Sequence, residues 1–106
     1  MTDFLDLMKQ AAELKSKMEA MQAELDRIEV EGSSGAGLVV VRLSGKGEMK
    51  GVTIDASLVK PQEKEIMEDL IVAAHTDARR KAESLLQEKM QNVAGGLPLP
   101  PGIKLF

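Results

Sequence analysis

The sequence predicts an α+β domain in which two long helices flank a small antiparallel sheet. Apolar residues recur every three or four positions over residues 4–28 and again over residues 67–90, which is the spacing of one helix face. Between them, a Val-rich segment alternates in the manner of strands and is interrupted by glycine clusters typical of turns. The predicted order is therefore a helix, two or three short strands, a second helix and a Pro-rich tail.

The first helix is predicted from about Asp3 to Arg27, with Thr2 as its N-cap. One apolar heptad seam runs along it, formed by Phe4, Leu7, Ala11, Leu14, Met18, Met21, Leu25 and Ile28. At 1.5 Å per residue such a helix extends roughly 40 Å, which is longer than the core of so small a domain is wide. We therefore expect part of the helix to project and its seam to pack on another helix, within or between subunits. Packing of the seam on the chain's own sheet is the alternative.

The middle of the chain contains alternating segments separated by glycine-rich turns. The predicted order is a short strand over residues 28–32, a flexible turn over 32–37, a strand over 38–43, a hairpin turn over 44–47 and a return strand over 49–55. Because alternate residues of a strand share a face, the residues expected to face the core are Val39, Val41, Leu43, Val52 and Ile54.

The second helix follows Pro61, a residue tolerated in a first turn, and lasts to about Asn92. Gly95 and Gly96 then end it. The residues beyond are predicted to form an extended tail with polyproline character, laid over the body of the protein; an SH3-type ligand is the alternative interpretation. We thus divide the chain into a helix-sheet-helix domain over residues 1–94 and a Gly/Pro-rich tail over residues 95–106.

The composition excludes several classes of protein. The 106 residues include no Cys, so neither disulfides nor thiolate metal sites form. The N-terminus lacks the basic and apolar regions of a signal peptide, and no apolar stretch approaches the length of a membrane span. We therefore expect a soluble cytoplasmic protein with no membrane partner. The net charge is −3, and only the middle of the chain, residues 32–61, is basic on balance.

No motif for catalysis, a metal or a cofactor is found in the sequence. His75 is the only histidine and has no Cys or second His to complete a metal site, nor a nucleophile elbow or triad partner. The glycines of residues 32–37 precede a strand rather than a helix, and Gly47 stands where a Walker loop requires Ser or Thr. We therefore predict no catalytic residues, no metal, no cofactor and no small-molecule substrate.

Basic side chains on both helices are the candidate functional residues. The predicted DNA-binding set comprises Lys9, Lys15, Lys17, Arg79, Arg80, Lys81 and Lys89. Residues 79–81 are the densest basic cluster, and because consecutive helix positions point about 100° apart, at least one should meet an approaching phosphate. Their alternative role is an ordinary charged face paired with Asp77 and Glu83. Aromatic residues make up only 2% of the chain, so the predicted ligand is duplex DNA held through its backbone rather than stacked single strands.

Short motifs spread over the whole chain resemble the YbaB/EbfC family. They are Gly35-Ala-Gly-Leu-Val39, Gly45-Lys-Gly47, Ile54-Asp55 with Ser57-Leu58, Glu68-Asp-Leu70 with Ala73-Ala74, Asp77-Ala78, Glu88-Lys-Met90, and the tail Gly96-Leu-Pro-Leu-Pro-Pro-Gly102 with Phe106. Their order and spacing together carry the resemblance, since no single motif is very specific. The sequence departs from the family pattern at His75 and Thr76, where an aromatic residue and Asn are common, and at Ala56, where Pro is common.

The resemblance implies a subunit made of a helix, a three-stranded antiparallel sheet and a helix, and a homodimer whose long helices project like the arms of tweezers. It also implies DNA binding between or along those arms by a cytoplasmic, nucleoid-associated protein that is not an enzyme. Genes of the family often neighbour genes of recombination and replication, so proteins of those processes are further candidate partners.

We accordingly predict a homodimer that binds duplex DNA weakly and with little sequence preference, bridging or compacting it and influencing gene expression or DNA repair. Dimerisation through the sheet and the adjoining helix faces would cover open strand edges and double the number of basic groups. Because the net charge is negative, the alternative is a non-catalytic adaptor for replication or recombination proteins that does not bind DNA. An enzyme that depends on His75 is the third class considered.

Overall fold

A computed structural model describes residues 3–94, so the tail over residues 95–106 lies outside the described part of the chain. The helices and strands are α1 (Phe4–Arg27), β1 (Glu29–Ser34), β2 (Val39–Ser44), β3 (Met49–Ile54) and α2 (Lys64–Ala94). The predicted N-cap of α1, Thr2, is wrong: α1 begins at Phe4, and its N-cap residue is Asp3. Two single turns of 3-10 helix, Ala56–Leu58 and Pro61–Glu63, connect the sheet to α2. The predicted α+β class and the order of elements are confirmed.

The three strands form one antiparallel sheet in the order β1-β2-β3, and α2 packs on one of its faces. The core lies between β2 and α2, where Val39, Val41 and Leu43 are fully buried beside Ala74 and Ala78. This confirms the predicted inward face of the central strand. The small side chains of the two alanines allow the helix backbone to come close to the sheet.

The turn predicted over residues 32–37 is wrong in its first half. β1 continues through Ser34, and the chain turns only after it. Two contacts with α2 hold the extra residues in the strand: the Ser33 N–H donates to Asp77 Oδ2 at 3.0 Å, and the Ser34 hydroxyl donates to the carbonyl of Leu70 at 2.5 Å. Long-range hydrogen bonds therefore override the local turn preference of these residues.

The expectation that Val52 lies on the core-facing side of the sheet is confirmed, but the side chain is not buried. The register places Val52 opposite Val41, on the same side of the sheet as the core. However, α2 packs on β1 and β2 rather than on β3, so Val52 remains 42% exposed, and Ile54 is only partly buried. The inward-facing side of β3 is left largely uncovered.

The molecule is elongated, with extents of 71 × 27 × 16 Å. Along the seam of α1, Met21 and Leu25 are buried where the helix meets α2 and β2. Phe4 and Leu7, at the other end of the seam, are exposed to 72% and 54%. The predicted projection of α1 is thus confirmed, because its seam is buried near the C-terminus of the helix and exposed at the first turns.

Candidate nucleic-acid interface

The three lysines predicted on α1 lie on the projecting part of the molecule. Lys9, Lys15 and Lys17 are all exposed and stand off the apolar seam. None of them forms an ion pair with another residue of the range 3–94. Their ammonium groups are therefore free to meet an anion without first breaking an ion pair.

The basic cluster of residues 79–81 is divided between two grooves that flank α2. Arg79 lines an open groove of about 410 Å³ together with the β2–β3 turn, residues 45–47. Arg80 and Lys81 line another groove, of about 390 Å³, beside Val30 of β1. The three side chains are thus not brought together in one patch, because each successive position on the helix turns by about 100°.

Acidic neighbours on the same helix pair with two members of this cluster. Arg79 Nε lies 3.2 Å from Glu83 Oε1, and Lys81 Nζ lies 3.4 Å from Asp77 Oδ2. Both are solvent-exposed i,i+4 pairs, which contribute at most about 1 kcal/mol and exchange readily for another anion. Arg80 is exposed and makes no ion pair within the described residues.

Lys89, the last of the predicted set, connects the two helices. Its ammonium group donates a hydrogen bond to Glu24 Oε1 of α1, and its side chain is only 26% exposed. This contact joins α2 to α1. Lys89 therefore contributes to the packing of α2 on α1, unlike Lys9, Lys15 and Lys17, which make no ion pair within residues 3–94.

Asp77 links α2 to the edge of β1. The hydrogen bond from the Ser33 N–H holds the pKa of the Asp77 carboxyl below its ordinary value. Desolvation of the carboxylate raises this pKa, whereas the positive charge of Lys81 lowers it further. Lys81 also donates to the carbonyl of Glu31 at 2.8 Å. Through these contacts, side chains of α2 satisfy backbone groups on the outer edge of β1.

Three further cations outside the predicted set lie on the sheet and its turn, and one of them, Lys50 of β3, pairs with Glu48. Arg42 lies across the face of the sheet opposite α2, where its Nη1 donates to Thr53 Oγ1 at 2.9 Å. Lys46, at the tip of the β2–β3 turn, contacts Asp26 Oδ2 at 3.1 Å and lines the same groove as Arg79. Strand alternation already placed Arg42 on the outward face, whereas the approach of Lys46 to α2 has no sequence signal.

His75 is partly buried and lines the groove shared by Arg79 and the β2–β3 turn. Within residues 3–94, no group of three or more His, Asp or Glu side chains is arranged to hold a metal ion. Over the same range, neither helix contains a stretch long and apolar enough to span a bilayer.

The chain is similar in sequence to known proteins over most of its length. A model of the YbaB/EbfC DNA-binding family matches residues 1–97. A protein of Rhodopseudomonas palustris strain BisB5 named "Nucleoid-associated protein" is 68% identical over 105 residues, covering 99% of each chain. A protein of the same name from Nitrobacter winogradskyi is 64% identical over 103 residues, covering 97% of each chain.

A solved structure has the same fold. The crystal structure of the uncharacterized protein HP0035 from Helicobacter pylori superposes with a TM-score of 0.81 at 25% sequence identity. The match covers 90% of this chain and all of that one. The arrangement of α1, the sheet and α2 therefore recurs at low sequence identity.

Proposed function

The chain belongs to the YbaB/EbfC DNA-binding family, and from this membership we propose that it binds duplex DNA as a homodimer, with little sequence preference and without catalysis. The cations of α1 and α2 would contact phosphates rather than base edges, since phosphate contacts position a protein on DNA without reading its sequence. The names of its relatives support a role at the nucleoid. DNA bridging or compaction, with effects on gene expression or repair, follows from binding at more than one site.

The observation that carries this proposal is that four of the seven cations in the predicted set are exposed and make no ion pair within residues 3–94. Lys9, Lys15 and Lys17 project on α1, and Arg80 is exposed on α2. Each phosphate that such a group neutralises releases condensed counterions, which favours binding. The ion-paired Arg79 and Lys81 can join them at small cost, because an exposed ion pair is worth about 1 kcal/mol or less.

The adaptor alternative is favoured by one observation. The net charge of the chain is −3, and Glu83, Asp77 and Glu24 each pair with a cation of the predicted set. An acidic surface of this kind suits a protein partner, such as a replication or recombination protein, better than a polyanion. Weak DNA binding with strong salt dependence distinguishes the two functions.

A difference between the two edge strands of the sheet supports dimerisation through β3: the outer edge of β1 is hydrogen-bonded by α2, and that of β3 is open among the described residues. The outer edge of β1 is satisfied by α2, through Asp77 and Lys81. The outer edge of β3 pairs with no other strand among the described residues, and Met49 and Val52 beside it are 52% and 42% exposed. An open apolar edge is a ready site for a second copy of the chain. Pairing there would leave α1 and the end of α2 free on both subunits.

The test of DNA binding is a titration of fluorescent duplex of about 30 base pairs, repeated between 50 and 200 mM salt, a range over which multi-contact binders lose much of their affinity. We expect weak binding and a negative slope of log K against log salt. The Lys9→Ala/Lys15→Ala/Lys17→Ala and Arg79→Ala/Arg80→Ala/Lys81→Ala variants should each make this slope shallower by about 0.9 for every phosphate that is no longer neutralised. Two duplexes of unrelated sequence should bind with the same affinity.

The matched control is Arg27→Ala/Lys60→Ala/Lys64→Ala, which removes three positive charges from exposed positions outside the proposed DNA-binding surface and outside β3. This variant should bind as the wild type does. A slope near zero, or no binding at low salt, contradicts direct DNA binding and leaves the adaptor function. Equal decreases in affinity for all three variants would show that only the total charge matters, which contradicts the proposed surface.

A further inference from the structure

The first two turns of α1 carry an apolar surface that no other described residue covers. Phe4 and Leu7 of the seam are 72% and 54% exposed, and the neighbouring Met8 is 55% exposed, although the seam is buried at Met21 and Leu25. Clustered apolar side chains of this kind mark a surface that is covered by something else. Since each Å² removed from water contributes about 25 cal/mol, covering the seam would stabilise the end of the helix.

The course of α2 shows where the rest of the chain emerges. Lys89 of α2 contacts Glu24 of α1, and from this point α2 continues to Ala94 while α1 extends back to Phe4. α2 ends at Ala94, five residues after Lys89. Because both helices rise by about 1.5 Å per residue, Ala94 would lie beside the residue five positions before Glu24 on α1, which is Glu19. About 22 Å of α1, from Glu19 to Phe4, then extends beyond the end of α2.

Residues 95–106 have the length and composition to cover this surface. An extended Pro-rich segment rises about 3.1 Å per residue, so these residues reach roughly 37 Å, more than the distance to Phe4. If the segment extends along the axis of α1 at about 3.1 Å per residue, Leu97 would lie beside Glu13 and Leu99 beside Lys9, since the helix rises about 1.5 Å per residue. The segment contains five large apolar residues: Leu97, Leu99, Ile103, Leu105 and Phe106.

We propose that residues 95–106 lie along the seam of α1 and cover Phe4, Leu7 and Met8. Three prolines in the segment limit the conformational entropy lost on docking. Because the segment is tethered close by, its effective concentration at the seam is on the order of millimolar, which favours it over a second molecule. A second copy bound at β3 is an unsuitable occupant, since Phe4 lies about 30 Å along α1 from Leu25, where the helix contacts the sheet.

Disulfide trapping tests the proposal, and the natural absence of Cys makes each engineered pair unambiguous. Leu7→Cys and Leu99→Cys should form an intramolecular disulfide in a glutathione redox buffer, because docking brings their Cα atoms within bonding range. The matched control pairs Leu99→Cys with Lys9→Cys, which lies at the same level on the opposite face of α1. We expect the effective concentration of one thiol at the other to be at least ten-fold higher for the Leu7→Cys/Leu99→Cys pair than for the Lys9→Cys/Leu99→Cys pair. Equal values for the two pairs would overturn the proposal.

Hydrogen exchange of the full chain gives an independent measurement. Replacing the five apolar tail residues by Ser should speed the exchange of amides in residues 4–14 at least ten-fold, while residues 21–27 remain protected by the core. Unchanged exchange would show that the tail does not cover the seam. Protection that rises with protein concentration and is unaffected by the tail would assign the seam to a second copy, which also overturns the proposal. Neither readout involves DNA, so the result is separate from the proposed function.

Discussion

Gly32 of β1 lies where the backbone of α2 comes closest to the sheet. A Cβ built at Gly32 would lie 2.1 Å from the Ala78 nitrogen and 2.2 Å from the Ala74 carbonyl oxygen, and neither backbone atom can move without shifting the helix. We expect Gly32→Ala to lower the free energy of unfolding by about 2 kcal/mol or more, as overpacking of a tight core does. Urea unfolding at matched protein concentration measures it.

Gly51→Ala is the control for this substitution. A Cβ at Gly51 would meet the guanidinium of Arg42 at 2.3 Å, but that group is the far end of a long side chain and can rotate away. The decrease in stability should be clearly smaller than for Gly32→Ala. Similar decreases at the two positions would mean that the close approach of α2 is not what requires glycine in β1.

The carboxyl of Asp77 should make part of the stability dependent on pH. Its pKa in the folded protein is lowered from the ordinary value of 3.8, chiefly by the Ser33 N–H. The stabilisation is therefore present above pH 3.8 and is lost as the pH falls through the lower pKa of the folded state. Asp77→Asn should be less stable than the wild type at pH 7, and the difference should shrink in acid.

Unfolding measured between about pH 2 and pH 7 tests this dependence. The control is Asp69→Asn, which removes a carboxylate from an exposed position of the same helix. A stability difference for Asp77→Asn that stays constant throughout that range would contradict the assigned linkage.

At the scale of an element, α1 is held to the body by one buried stretch near its C-terminus. Leu25 is only 2% exposed, and its carbonyl accepts a hydrogen bond from the Gly45 N–H at 2.9 Å. We expect Leu25→Ala to reduce the free energy of unfolding by about 3 kcal/mol, because apolar area is no longer buried and a cavity remains. Val72→Ala, at an exposed position of α2, should cost about 0.5 kcal/mol or less. Comparable costs would mean that the packing of α1 on the sheet contributes little in solution.

For the whole molecule, the open edge of β3 predicts how two chains assemble. Val52→Glu places a charge on the uncovered apolar side of this strand, where pairing with a second copy would desolvate it. Light scattering should give twice the chain mass of 11.5 kDa for the wild type and a single chain mass for the variant. Val72→Glu, which is also exposed but lies on α2, should remain dimeric. A wild type that stays monomeric at every concentration contradicts assembly through β3.

Local residue patterns were enough to predict the order of the elements and the faces of the central strand and of α1. The 3.6-residue spacing of apolar positions specified both long helices, and the alternation of Val39, Val41 and Leu43 specified the inward face of β2. The length of α1 relative to so small a core was enough to predict that it projects. Each of these features depends on the spacing of residues within one segment, which is why the sequence sufficed for them.

Which of those faces are covered, and which cations stand together, depended on the packing of distant segments. β1 gained Ser33 and Ser34 because Asp77 and the Leu70 carbonyl, distant in sequence, accept their hydrogen bonds. The 100° turn between successive helix positions already separates the cations of residues 79–81, but the packing of α2 on the sheet decided which groove each of them lines. That packing also left Val52 exposed at an open edge. A residue pattern specifies the direction of a side chain, whereas its burial and its partners depend on long-range packing that no local pattern encodes.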